Sequence, residues 1–323
     1  MILPKLRHGL DVFPSPLEDQ PGLLLRDPLN YSEDILIIPP IFISALNLLD
    51  GKRSEDEAIA HLTEVLGRPF PRHPLYDFIA ALQQAGFLET AEFAAMRDQK
   101  QKDFAALPFR PPAHVGSGYP EDTFALKTTL DNYLMTIVPP NPAPLIGIAA
   151  PHVSPEGGWQ TYAAAYNRLR GVREQLLDKT IVILGTSHYG EPEKFGLTRK
   201  PFKTPYGTVQ TNTELVDWLL ERAGDAINME DYCHSMEHSI EFQVVFLQHL
   251  LGNRVKILPI LCGAFVQSFL SGLAPEREDN LRRFFDALGE MAELHKNDLF
   301  WVLGIDLAHI GQRYGDEMQA KAE

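Results

Sequence analysis

A chain of 323 residues with 45% hydrophobic side chains is long enough for two domains, each with its own core. Its 29 basic and 43 acidic residues leave a net charge of −14, without the clustered positive charge that nucleic acid and anionic membranes reward; neither is an expected partner. No apolar run approaches the ~20 residues that span a bilayer. The amino-terminal "MILPKLRHGLDVFPSP" lacks the apolar core and small-residue cleavage site of a secretion signal. The two cysteines, Cys233 and Cys262, point to a reducing cytoplasm and not to a disulfide framework. Both read as small core residues.

The first 90 residues read as a small module. "GLLLRD" and "ILIIPP" predict short strands, and "IFISALNLLDG" a helix closed by Asp50-Gly51. Ser54 followed three residues later by Glu57 is a capping-box pattern. The helix it opens carries Ile59, Leu62 and Leu66 on one face and stops at Gly67. A second helix places Leu75, Phe78, Ile79 and Leu82 together and ends at Gly86. Strands and short helices in this order predict a winged-helix-like α+β domain over residues 1–90. Its second helix, residues 74–85, has no Lys or Arg to meet phosphates, so DNA reading is disfavoured. Residues 91–110 predict a solvated helix and a Pro-bounded linker.

From residue 111 the composition shifts. Apolar strand runs alternate with amphipathic helices: strands at 144–150, 180–185, "VKILPILCG" and "LFWVLGIDL"; helices at 159–172, "NTELVDWLLERAG", 239–252 and "NLRRFFDALGEMAELH". Continuous apolar strands mean that both sheet faces are covered. The alternation predicts a three-layer α/β/α domain, in which ligands bind beyond the carboxyl ends of the strands.

Polar residues gather at those strand ends. "PLIGIAA" runs into Pro151-His152, "TIVILG" into Thr186-Ser187-His188, and "LFWVLGI" into Asp306 and His309. Glu237-His238-Ser239-Ile240-Glu241 opens a helix. One such histidine is by default structural; the recurrence marks a site. A serine hydrolase would need G-x-S-x-G, but Tyr189 stands where the second glycine belongs, which disfavours Ser187 as a nucleophile. Phosphate-binding glycine patterns are absent. Neutral imidazoles suit Fe, Zn, Cu and Ni. His152 and His188 are therefore candidate metal ligands, and His238 a third ligand or a general base. Glu237 and Glu241 are candidates to orient an imidazole through its other nitrogen, with Asp306 and His309 supporting the ligands.

Several pieces, in order, resemble the Memo family and its bacterial AmmeMemoRadiSam system protein B branch. They are "AHVGSGYPED" (113–122), "PHVSPEGGWQTYAAAY" (151–166), "ILGTSHYG", "FKTPYG", "EHSIEFQ" and "GIDLAHIGQRYGD". The resemblance covers residues 111–316. It implies a fold similar to class III extradiol, LigB-like dioxygenases, which use non-haem iron. His152 and His188 fall on the family's first two metal ligands, and His238 on the dioxygenase base. Ser187 becomes their neighbour. Fe(II) is the implied cofactor, with Cu and Zn as alternatives. A radical-SAM protein and an AMMECR-like protein are the implied partners. The rival to the enzyme is a non-catalytic metal- or peptide-binding partner of that system. The amino-terminal module resembles PqqD-type winged helices through "LLDGKRSEDEAIAHL" and "FIAALQQAGFLE", which implies a peptide ligand.

Two departures accompany the resemblance. Ser154 and Pro155 replace the family's Gly-Tyr after the first histidine, which alters the pocket wall. The sequence ends at Glu323, ahead of the segment that carries the family's third ligand. The expected domain, 111–323, therefore lacks its carboxyl-terminal part. With two histidines alone metal affinity should drop, unless His238, Asp306 or a partner chain supplies a donor, and a sheet edge or helix face left uncovered invites homo-oligomerisation.

Overall fold

The computed structural model describes residues 1–135, 144–306, 310–312 and 315–319, and the chain divides into two units, Met1–Ala106 and Leu107–Glu323. The first unit opens with three antiparallel strands, β1 (Asp11–Pro14), β2 (Leu23–Arg26) and β3 (Ile35–Ile38). Four helices follow: α1 (Pro40–Leu46), α2 (Glu55–Leu66), α3 (Arg72–Gln84) and α4 (Ala91–Ala106). The capping box forms as read: the Ser54 hydroxyl accepts from Glu57 N, and the Glu57 carboxylate accepts from Ser54 N at 2.7 Å. Gly67 ends α2 at φ +65°, a left-handed conformation that costs glycine little. Leu62, Leu75, Phe78 and Leu82 are buried in one core with Leu25 and Ile38 of the sheet. The polar helix α4 is anchored by Phe93 and Phe104, both buried.

The second unit is a layered α/β domain. It runs α5 (Thr123–Tyr133), β4 (Gly147–Pro151), α6 (Pro155–Tyr166), α7 (Arg173–Leu176) and β5 (Thr180–Thr186). β6 (Phe195–Leu197), β7 (Phe202–Thr204), β8 (Gly207–Thr211), α8 (Thr213–Ala223) and β9 (Ile227–Asn228) follow. Then come α9 (His238–Leu251), β10 (Lys256–Cys262), α10 (Val266–Ser271), α11 (Asp279–Leu294) and β11 (Leu299–Ile305). Among the described residues these strands form one eight-stranded sheet, ordered β4-β11-β5-β10-β6-β9 with β7 and β8 alongside. β4, β11, β5 and β10 are parallel, and β6 runs antiparallel to β10, so the sheet is mixed. Two predicted elements shift: the strand read from residue 144 begins at Gly147, and the helix read from Trp159 begins at Pro155 and ends at Tyr166.

Strand geometry sends alternate side chains to opposite faces. Ile181 and Ile183 of β5 enter a core with Phe246 of α9 and Tyr162 of α6. Val182, between them, enters a second core with Leu219 of α8 and Phe284 of α11. These two cores are the two interfaces of the three layers. The strand tips of β4, β5 and β11 lie side by side, with Ile305 opposite Pro151 and Gly304 opposite Gly185.

Helix α9 is sunk into this framework, with every residue from Ser239 to Gln248 buried. Buried polar groups need partners, and each polar side chain here grips a different element. Ser239 donates to Thr186 O at 2.7 Å. Gln248 donates to Gly207 O and accepts from Thr204. Glu241 pairs with fully buried Arg110 and accepts from Tyr119 OH at 2.5 Å and from the backbone N–H of Ala113 and His114. The helix can lie this close because glycines face it. A Cβ on Gly304 would stand 2.6 Å from Ser239 O, and one on Gly185 2.6 Å from the side chains of Ile240 and Ser239. Gly304→Ala must therefore push the start of α9 off the sheet. We expect it to lower the unfolding free energy by about 2 kcal/mol, measurable by urea titration.

Candidate metal centre

The carboxyl ends of β4 and β5 and the first residue of α9 deliver His152, His188 and His238. One ring nitrogen from each lies within 4.8 Å of the others. The His152 ring stands 5.2 Å from His188 and 5.3 Å from His238 by centroid, nearly perpendicular to both, while His188 and His238 are 4.7 Å apart and stacked. His152 is buried; the His188 side chain keeps 31% of its surface exposed, so the cluster opens to solvent on that side.

Hydrogen bonds settle which nitrogens are available. The Nδ1 of His152 lies 3.1 Å from Gly304 O. A carbonyl only accepts, so Nδ1 is the donor in this bond and Nε2 is the nitrogen that faces the cluster. His188 Nδ1 lies 3.0 Å from Glu237 Oε1, which leaves its Nε2 as the donor atom by the same reasoning. A carboxylate or carbonyl behind an imidazole is the usual support of a metal-ligating histidine.

Glu237 is the hub. Its buried carboxylate accepts from the backbone N–H of His188, His238 and Ser239 at 2.9, 2.8 and 3.0 Å, and it also contacts His238 Nδ1 at 3.4 Å. It is the N-cap of α9, where a negative charge meets the helix dipole. Burial pushes its pKa up, but the His188 ring and the backbone N–H groups outweigh that and hold it at about 2. The His188 pKa is raised, first by its hydrogen bond to Glu237 and against the effect of burial. Burial drives His238 down to about 4, against the Glu237 carboxylate and with help from the neighbouring histidines. At neutral pH His238 is uncharged, the state a ligand requires.

The structure places the other predicted residues as follows. Asp306 lies beside the cluster, with Oδ1 3.6 Å from His152 Nε2. Ser187 accepts from Gly190 N at 3.0 Å in a turn. It also lines an apolar groove of about 470 Å³ with Thr186, Cys262, Phe265 and Leu303. His309 lies outside the described residues. Glu241, read as a second carboxylate to orient an imidazole, instead neutralises Arg110 one helical turn below Glu237. A buried guanidinium needs an anionic partner, and Arg110 also donates to the carbonyls of His234 and Glu237. Two neighbours escaped the sequence reading. His114 stands 5.5 Å from the His238 ring and makes a 2.9 Å hydrogen bond to Met236 O. Gln243 reaches the backbone before His152. Both sit inside the quoted segments "AHVGSGYPED" and "EHSIEFQ", but neither terminates a strand.

The family model described as "Memo-like protein" matches residues 110–323. This chain belongs to that family. The LigB-like α/β fold implied by the resemblance is in keeping with the match. A MEMO1 family protein of Aquifex aeolicus is 25% identical over 91% of this chain and 73% of its own length. A MEMO1 family protein of Methanococcoides burtonii is 33% identical over 48% of this chain, which spans about half (54%) of that relative's length. One from Thermococcus kodakarensis is 30% identical over 64% of this chain and 67% of its own. Among the described residues, no helix of this Memo-like chain is long and apolar enough to cross a membrane.

The shifted pKa values give the metal-free protein a defined acid response. Glu237 is depressed from an ordinary 4.5 to about 2, so its contribution is complete above 4.5 and is lost as pH falls towards 2. The shift corresponds to about 3 kcal/mol. His238, depressed from 6.5 to about 4, adds a loss in the same direction at higher pH. His188 is raised and acts oppositely, losing its contribution as pH rises through its folded pKa. In urea unfolding across the pH range, Glu237→Gln should be less stable at pH 7 and should show a shallower acid limb below 4.5, the remaining limb belonging to other depressed carboxylates such as Glu241.

Proposed function

We propose that His152, His188 and His238 hold a divalent transition metal, that the metal is Fe(II), and that the site performs oxidoreductase chemistry of the non-haem dioxygenase type. The convergence of three imidazole nitrogens within 4.8 Å carries the reading. The donor set fits: imidazole suits Fe, Cu and Zn, and both His152 and His188 have their Nδ1 engaged from behind. Bound Fe(II) would supply redox capacity and open positions for O2 and a chelating hydroxylated substrate. The protein's own groups do the rest. Glu237 fixes the tautomer and heading of His188. The exposed side of His188 leaves a path for substrate. Asp306 offers a carboxylate at the rim, as a further donor or as acceptor for a substrate hydroxyl. His238 serves as the third donor. Its depressed proton affinity suits that role better than general-base work, which favours a pKa near the operating pH. Two free cysteines suit a cytoplasmic setting.

Anaerobic reconstitution followed by dialysis and metal analysis tests the reading. The parent should retain one Fe(II), and His188→Ala and His238→Ala should each weaken binding by at least about ten-fold. If His238→Ala retains the metal but abolishes O2 uptake with catechols, His238 is the base and not a ligand. If the parent loses all metal and His188→Ala behaves identically, the site is not a metal centre. Uptake with Zn(II) equal to that with Fe(II) would remove the redox assignment.

A further inference from the structure

Gln243 lies in the fully buried stretch of α9, five residues beyond His238. Its Nε2 donates to Pro151 O at 2.9 Å, and its Oε1 accepts from Tyr166 OH of α6 at 2.7 Å. Both ends of the amide are therefore committed, and its orientation is fixed because a carbonyl cannot donate. Pro151 O belongs to the peptide bond that leads into His152. The same stretch of backbone is held from its other side through the His152 ring, whose Nδ1 meets Gly304 O. Gly304 is also where Gln243 lies close: a Cβ there would stand 3.2 Å from Gln243 Nε2. One side chain thus ties the helix that begins with His238 to the strand end that presents His152, with Tyr166 locking its far side.

We infer that Gln243 is a positioning residue for the three-histidine centre: it sets the placement of His152 relative to His238 by holding the Pro151 carbonyl. Its consequence for metal affinity rests on the metal reading above; its effect on His152 does not. The same helix supplies an internal comparison. Gln248 is likewise buried and hydrogen-bonded at both ends of its amide, but to Thr204, Gly207 and Asn253, away from the centre.

The test compares Gln243→Met, Gln248→Met and Tyr166→Phe in the full chain, using Co(II) as a spectroscopic probe. Gln243→Met should weaken Co(II) binding about ten-fold or more and move the visible absorption bands. Tyr166→Phe, which keeps the amide but removes its lock, should shift both in the same direction by less. Gln248→Met should lose comparable stability and keep the parent's affinity and spectrum. In the metal-free proteins, the ring-nitrogen NMR signals of His152 should be displaced by Gln243→Met and Tyr166→Phe and unmoved by Gln248→Met. Parent-like affinity, spectrum and His152 signals in Gln243→Met overturn the inference, as does an equal effect from Gln248→Met. If the parent and His188→Ala alike bind no Co(II), the metal reading falls, and unmoved His152 signals alone then refute the positioning role. If Gln243→Met fails to fold, Tyr166→Phe decides by the same criteria.

Discussion

A single buried carboxylate, that of Glu237, holds this site together. It caps the most deeply buried helix of the domain, accepts the backbone N–H that fixes the turn after β5, and receives the His188 ring. An ionised carboxylate removed from water is tolerated only when its oxygens are filled. Here filling them requires the end of β5 and the start of α9 to meet. The constraint that makes Glu237 affordable in the interior is therefore the one that brings His188 and His238 face to face.

Helix α9 extends the same logic along its length. Each buried polar residue reaches a different part of the domain: Ser239 the tip of β5, Glu241 the Arg110 segment, Gln243 the backbone ahead of His152, Gln248 the β7-β8 turn. Such networks are costly when half satisfied and specific when complete. Gly185 and Gly304 permit the close approach that lets these short bonds form. A helix held off by one methyl group would leave several buried polar atoms without partners at once, so packing and polar satisfaction are one constraint and not two.

The electrostatics divide the site's charged groups into distinct tasks. Glu241 answers the permanent positive charge of Arg110 and bonds to no imidazole nitrogen among the described residues. Glu237 answers the titratable His188. His238, half-buried and crowded by other histidines, stays neutral. Two glutamates four residues apart, one capping α9 and one in its first turn, thus have unlike roles because their surroundings differ, and a sequence motif that contains both cannot tell them apart.

Much was legible in the sequence. The alternation of continuous apolar strands with amphipathic helices determined the layered α/β plan, because strands covered on both faces must be apolar throughout. The capping box at Ser54 and the left-handed stop at Gly67 were local rules and formed as local rules dictate. His152 and His188 stood out as candidates because polar clusters recur after several buried strands, where a single histidine would be structural by default. Tertiary structure decided the rest. The mixed course of β6 to β9 rests on segments too short to carry a periodic signal. The entry of His238 into the cluster, the assignment of Glu237 to His188 and of Glu241 to Arg110, and the reach of Gln243 to Pro151 all join residues remote along the chain. A hydrogen bond between distant segments leaves no local pattern; it exists only once the sheet has set its strand tips side by side and α9 has settled across their glycines.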